Sequence, residues 1–199
     1  MLLDSTRPIG KTLNTDLGRP KSTSAGVLLQ CQEATLPRWY ALRATYSREL
    51  KVQAALQERG VRTFIPMMWR EKKLVPAVSG LVFALATREA LDAYIRSFGD
   101  ARPVNYYWDR TANAPLTVPS KAMEDFIAVA SSLEEDLIYL TEISDKLREG
   151  QTVKVKEGPF KGVEGKIVRI RKSRRVMVEL PGMLAVASTY VSPAELEII

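Results

Sequence analysis

A chain of 199 residues with 46% apolar content can hold one sizeable domain or two small ones, each with a core. It has no histidine and one cysteine, Cys31. That removes intramolecular disulfides, Cys-based metal clusters, the commonest general base and every Ser-His or Cys-His nucleophile, so no catalytic residue, metal or cofactor is expected and the chain reads as a non-enzyme. The net charge of +6 is uneven: residues 38–119 carry thirteen Lys/Arg against seven Asp/Glu, residues 150–199 nine against five, and residues 124–149 two against eight. Two basic blocks around an acidic one suggest nucleic acid or a polyanion-bearing complex as partner, beside the plainer reading of solubility charge.

The longest apolar stretch, Leu81-Val82-Phe83-Ala84-Leu85-Ala86, is strand length, far short of the roughly 20 residues that cross a bilayer. Residues 1–26 supply no apolar signal region, so a cytoplasmic chain with no membrane partner is expected. Residues 1–37, Cys31 included, mix Ser, Thr, Gly and Pro without a period and predict a disordered tail.

Order is expected to begin at Trp39, with Trp39-Tyr40-Ala41-Leu42-Arg43-Ala44 as a strand. Ser47 is placed to cap a helix with Glu49 in its first turn, Val52, Ala55 and Leu56 on one stripe and Gly60 as its stop. A strand over 61–65 follows, ended by Pro66, then a basic loop with Trp69, Arg70, Lys72 and Lys73. The run from Leu81 is a buried strand. Thr87 caps a helix carrying Leu91, Ile95 and Phe98 at helical spacing, closed by Gly99, and residues 104–108 form a last strand. This β-α-β-β-α-β order predicts a compact α+β domain over 38–119, helices against a sheet.

Pro119 is expected in the first turn of a helix with Met123, Phe126, Ile127, Ala130 and Leu133 on one stripe, continuing through Leu137, Leu140, Ile143 and Leu147 as an acidic helical linker over 120–149. From Gln151 the period becomes two. Five short strands over 150–199, broken by glycines and by Lys172-Ser173-Arg174-Arg175, predict a small β-barrel with a basic tip.

Gly158-Pro159-Phe160-Lys161-Gly162 followed by Gly165-Lys166-Ile167 resembles the KOW motif. Its glycines permit tight turns and close strand approach, and Phe160 offers a core plug. KOW motifs occur in NusG-family transcription factors and in ribosomal proteins. Trp39-Tyr40, then Glu49, Val52 and Leu56, then Phe64-Ile65-Pro66 resemble the opening of a NusG N-terminal domain. Gly80-Leu81-Val82-Phe83 resembles that family's Pro-Gly-Tyr-Val-Phe strand, with Ser79 and Leu81 replacing the proline and tyrosine. Val118-Pro119-Ser120 resembles the exit from that domain. The substituted strand, the long tail and the acidic linker are similar to the UpxY group, which antiterminates capsular polysaccharide operons in Bacteroides-type bacteria.

The resemblance implies an αβ NusG-type domain and a small SH3-like KOW barrel, and a factor binding the clamp of the largest subunit of bacterial RNA polymerase. It assigns Tyr40, Leu81 and Phe83 to that contact, although Tyr40 and Phe83 read equally well as core. It turns Arg43, Arg48 and Lys51 toward nucleic acid of the transcription complex, non-template DNA or leader RNA, against the plainer reading of a solvated helix face. It gives the barrel ribosomal protein S10 or Rho as partner, while basic tips also bind RNA phosphates. A ribosome-associated or stand-alone RNA-binding KOW protein stays open.

Overall fold

The computed structural model describes residues 36–98, 103–142, 150–170 and 172–199. Residues 1–35 of the expected tail, Cys31 among them, the Gly99 helix stop and the linker positions Ile143 and Leu147 lie outside the described residues. Among those described, no helix is long and apolar enough to cross a membrane.

The N-terminal half is built on β1 (Arg38–Ala44), which pairs antiparallel with β5 (Leu81–Ala86) on one side and β6 (Val104–Tyr106) on the other. β2 (Arg62–Phe64) adds to β5, giving the order β2-β5-β1-β6, and β9 (Thr117–Val118) also pairs with the start of β1. Alternation along β1 sends Tyr40, Leu42 and Ala44 to one face and Trp39 and Ala41 to the other. The first face packs under α1 (Glu49–Gln57) and α2 (Arg88–Arg96), against Val52, Leu56, Leu91 and Tyr94. The second packs against α3 (Ser120–Ala130), through Met123, Phe126, Val129 and Ala130. A sheet covered on both faces explains why β5 is apolar at every position.

Thr87 caps α2 as expected, its hydroxyl accepting from the Ala90 N–H at 3.3 Å. The entry to α1 differs. Tyr46 and Ser47 both have positive φ, 59° and 51°, and Arg48 is the capping position, with no side-chain cap bond. Glu49 turns inward and accepts the Gly80 N–H, buried. A side chain at Gly80, where φ is 75°, would meet the Ala44 carbonyl oxygen at 2.8 Å, so only glycine fits. The expected basic loop is a hairpin, β3 (Met67–Arg70) and β4 (Lys73–Pro76), whose turn residues Glu71 and Lys72 both have positive φ. A second small hairpin, β7 (Trp108–Asp109) with β8 (Ala114–Pro115), follows β6.

The largest departure is the linker. α3 ends at Ala130, Pro119 precedes it as cap, and Leu133 has a φ of 52°. Ile138, Tyr139 and Leu140 then form a strand, β10 (Ile138–Leu140). Ile138 and Tyr139, which lie between the residues read as a continuing helical stripe, are β-prone, and Ser131-Ser132 favour a turn over more helix. β10 pairs with β14 (Leu184–Tyr190), so the barrel sheet has six strands, in the order β10-β14-β13-β12-β11-β15. The others are β11 (Thr152–Val155), β12 (Glu164–Ile170), β13 (Ser173–Leu180) and β15 (Leu196–Ile198). Phe160 is buried as the plug. At Gly165 a Cβ would lie 2.5 Å from the Met177 carbonyl oxygen, so glycine lets β12 press onto β13.

α3 packs on β13 and β14 of the barrel and reaches β1, so one apolar cluster runs from the first sheet through α3 into the barrel. Phe126, fully buried, meets Phe83, Phe64 and Tyr139 with ring centroids 6.1, 6.2 and 6.4 Å apart. Truncating a buried phenylalanine costs about 3–5 kcal/mol. Phe126→Ala is therefore expected to lower the unfolding free energy of the whole chain by that amount, with the N-terminal domain and the barrel losing stability together, as followed by denaturant titration with tryptophan fluorescence and far-UV circular dichroism.

Candidate functional site

Leu81 and Phe83 sit on the sheet face that α3 covers, at 1% and 0% exposure. Trp39, at 1%, shares that face. Tyr40 is on the other face, under the α1/α2 layer, its ring 5.7 Å from that of Tyr106. The Tyr106 hydroxyl donates to Asp92 of α2 at 2.9 Å. Burial raises the Tyr40 phenol above its ordinary pKa, and burial plus the Asp92 bond raises that of Tyr106 further. The structure thus separates Tyr40 from Leu81 and Phe83 and brings Trp39 to them. Period-two alternation from Ala41 back to Trp39 was the signal in the sequence that finds this.

The cover over Leu81 and Phe83 has a polar rim. The Tyr139 hydroxyl, its pKa pushed up to about 12 by burial, donates to the Met67 carbonyl at 3.0 Å. The Trp69 indole donates to the Leu133 carbonyl at 2.9 Å. Lys121 holds both oxygens of buried Asp125, at 2.6 and 2.7 Å, and lies 3.8 Å from Glu164 of β12. The β3–β4 hairpin is therefore tied to the segment after α3, with Arg70, Lys72 and Lys73 exposed along it.

Arg43, Arg48 and Lys51 lie at one corner, where β1 ends and α1 begins, and all three are exposed. Arg43 stands opposite Leu81 on one side and Asn105 on the other. The guanidinium of Arg48 lies over the ring of Tyr46, 5.6 Å from its centroid. Tyr46 is 84% exposed and held in the left-handed region. It was missed because an aromatic between polar residues carries no periodic signal. A cationic corner with an exposed ring at a helix N-terminus can hold phosphates and stack a base.

In the barrel, Gly158, Pro159, Phe160, Gly162 and Gly165 form the turn and close approach between β11 and β12. Arg175 is not part of the basic tip. It is buried and donates to the Asp136 and Ser188 carbonyls at 2.7 Å each, clamping the segment before β10 to β13 and β14.

Residues 37–127 match the family model described as "Transcription termination factor nusG", and residues 149–179 match that of the KOW motif. The chain carries these two domains in that order. It is similar to a solved structure titled "Domain interaction in Thermotoga maritima NusG", at 22% identity over 83% of this chain and 99% of that one, with a TM-score of 0.45. No curated protein matches the sequence.

A left-handed tyrosine costs about 1–2 kcal/mol that glycine avoids, less the roughly 0.5–1 kcal/mol by which glycine's freedom disfavours the fold. Tyr46→Gly is thus expected to leave stability unchanged or raise it by up to about 1.5 kcal/mol, as measured by urea unfolding, while removing the ring beside Arg48. A marked destabilisation would show that the ring serves packing.

Proposed function

We propose that this chain, a NusG-type domain followed by a KOW domain, is a NusG-family transcription factor that binds RNA polymerase and acts on elongation and termination at particular operons. The observation that carries this is the pair of family matches in sequence order, over 37–127 and 149–179. The NusG-like and KOW domains support a role in transcription elongation or termination. The finer reading is operon-specific antitermination, with capsular polysaccharide operons as the targets that the UpxY-like features suggest. The departures at Ser79 and Leu81 support it, and the exposed cationic corner supports selectivity for nucleic acid.

The polymerase clamp binds, in this reading, to the sheet face of Leu81 and Phe83, with Trp39 beside them. All three are covered by α3 and its barrel contact, so docking there requires that layer to move aside. Tyr40 supports the contact from beneath, fixing β1 under α2. Arg43, Arg48 and Lys51 touch single-stranded nucleic acid exposed by the transcribing enzyme, phosphates giving affinity and Tyr46 stacking a base. The barrel is free to recruit a further protein, ribosomal protein S10 or Rho, by an edge that this reading leaves unassigned.

The full chain is expected to co-purify with core RNA polymerase from cells producing it at native level. Capture of ribosomes without polymerase would replace this reading with that of a ribosome-associated KOW protein. Tight binding of leader RNA without polymerase capture would leave a stand-alone RNA-binding regulator.

The triple substitution Arg43→Ala, Arg48→Ala, Lys51→Ala is expected to abolish leader-specific antitermination in reconstituted transcription. Each lost phosphate contact flattens the log–log salt dependence by about 0.7 on a single strand. Binding to core polymerase without nucleic acid should survive, because the apolar face is intact. Full antitermination by the triple variant would place the recruiting surface elsewhere.

A further inference from the structure

Where the first half of α3 faces the barrel, the two do not meet closely. A recess of about 430 Å³ lies there, walled by Pro119 and Ala122 on the α3 side and by Gly165, Met177, Val178 and Pro181 on the barrel side. Side chains in a domain contact gain dispersion energy from close packing, and a void forfeits it. On its buried side the same helix packs fully, with Met123 and Phe126 at 0% exposure. The gap is kept by small residues. Ala122 offers a single carbon, and Gly165 admits none, because a Cβ there would meet the Met177 carbonyl oxygen.

The rim is charged, but its charges are already matched. Lys121 holds both oxygens of Asp125 and lies 3.8 Å from Glu164, which Lys154 approaches at 3.3 Å. Lys166 and Glu179, also at the rim, are each engaged as well. An ionic ligand would have to break a pair already made and bring its own charge out of water. A neutral one loses nothing at the rim and gains the apolar walls. Its size follows from the volume. A dry apolar cavity of about 150 Å³ takes one benzene, so this recess takes a molecule of about two or three rings, or the same bulk of aliphatic carbon.

We propose that this recess is a binding site for a small, uncharged, largely apolar molecule, which seats between α3 and the barrel and holds them together. A ligand that touches both sides binds the closed arrangement and not one in which they part. It therefore shifts the balance toward cover over Leu81 and Phe83. The site is separate from the cationic corner of β1 and α1, and nothing in it depends on the transcription reading.

The test uses phenylnaphthylamine, which is neutral and fluoresces in apolar surroundings, with the full chain and no polymerase. It is expected to bind one molecule per chain. Anilinonaphthalene sulfonate, the same rings with an anionic group, and naphthylethylenediamine, a cationic relative, should each bind about tenfold or more weakly. Ala122→Phe fills the recess and should weaken phenylnaphthylamine binding about tenfold or more, with the thermal midpoint held or raised. In the parent chain the Met177 methyl resonance should shift on addition of the compound, a readout that does not rest on the variant folding. Saturation should also slow amide hydrogen exchange in α3 and β5. The proposal is overturned if the neutral compound does not bind, if either charged relative binds as tightly, or if folded Ala122→Phe binds as the parent does. It is equally overturned if the Met177 methyl does not respond or if exchange in α3 and β5 is unchanged at saturation. A dimer whose formation displaces the compound would give the recess to a second copy of the chain and overturns it too. Because no polymerase or nucleic acid enters the assay, its outcome stands apart from the elongation reading.

Discussion

The structure depends on one buried ring. Phe126 projects from α3 between two sheets and meets an aromatic ring from β2, from β5 and from β10. Each tilted or edge-on pair contributes about 0.5–1.5 kcal/mol beyond the area it buries. The geometric effect matters more than the sum, because a single side chain fixes both the distance and the orientation of the two halves. The rest of α3 follows from that placement. Met123 and Ala130 continue its buried stripe, while Asp125 is neutralised by Lys121 one turn earlier on the same helix. A charged pair at the rim of an apolar contact contributes little energy, but it penalises any alternative seating of the barrel that would strand the carboxylate.

Because the first sheet is covered on both faces, the apolar character of a strand residue does not say which partner it meets. β5 carries apolar side chains at every position, and half of them meet α1 and α2 while the others meet α3. The two layers differ in their connection to the chain. α1 follows β1 and α2 follows β5 in chain order, and both pack on that sheet. α3 is held on its far side by β13 and β14, so its cover over Leu81 and Phe83 is shared property of both domains. An apolar face protected by a neighbouring domain avoids the aggregation that an exposed patch invites, and yet stays available to a partner that binds more tightly than the neighbour does.

Much of this was legible in the sequence where one local rule decides. The buried strand at Leu81, the Thr87 cap, the plug at Phe160 and the glycine at 165 each follow from residue type and spacing, and each is found where expected. The failures share a cause. Ser47 is a good cap by type, but the turn runs left-handed through it so that Glu49 can reach Gly80, a contact 31 residues away. Leu137 and Leu140 fit a helical stripe, but Ile138, Tyr139 and Leu140 equally suit a strand, and the choice is made by the open edge of β14. Arg175 is indistinguishable from Arg174 by sequence, and only the carbonyls of Asp136 and Ser188 separate them. Of the candidate surfaces, the cationic corner was readable from charge alone. The exposed ring of Tyr46 was not, because exposure is a property of what fails to pack nearby.

The pairing of β10 with β14 sets the length of the leash between the domains. With β10 in the sheet, only residues 131–137 separate the end of α3 from the first strand of the barrel sheet. Were β10 to peel away, the stretch from Ala130 to Thr152 would become one tether, spanning up to roughly 70 Å when extended. The barrel would then remain at an effective concentration near the millimolar range about the first domain while reaching partners well beyond it. Three backbone-paired residues, together with the packing of α3 on β13 and β14, thus stand between a tightly reined module and a long-armed one.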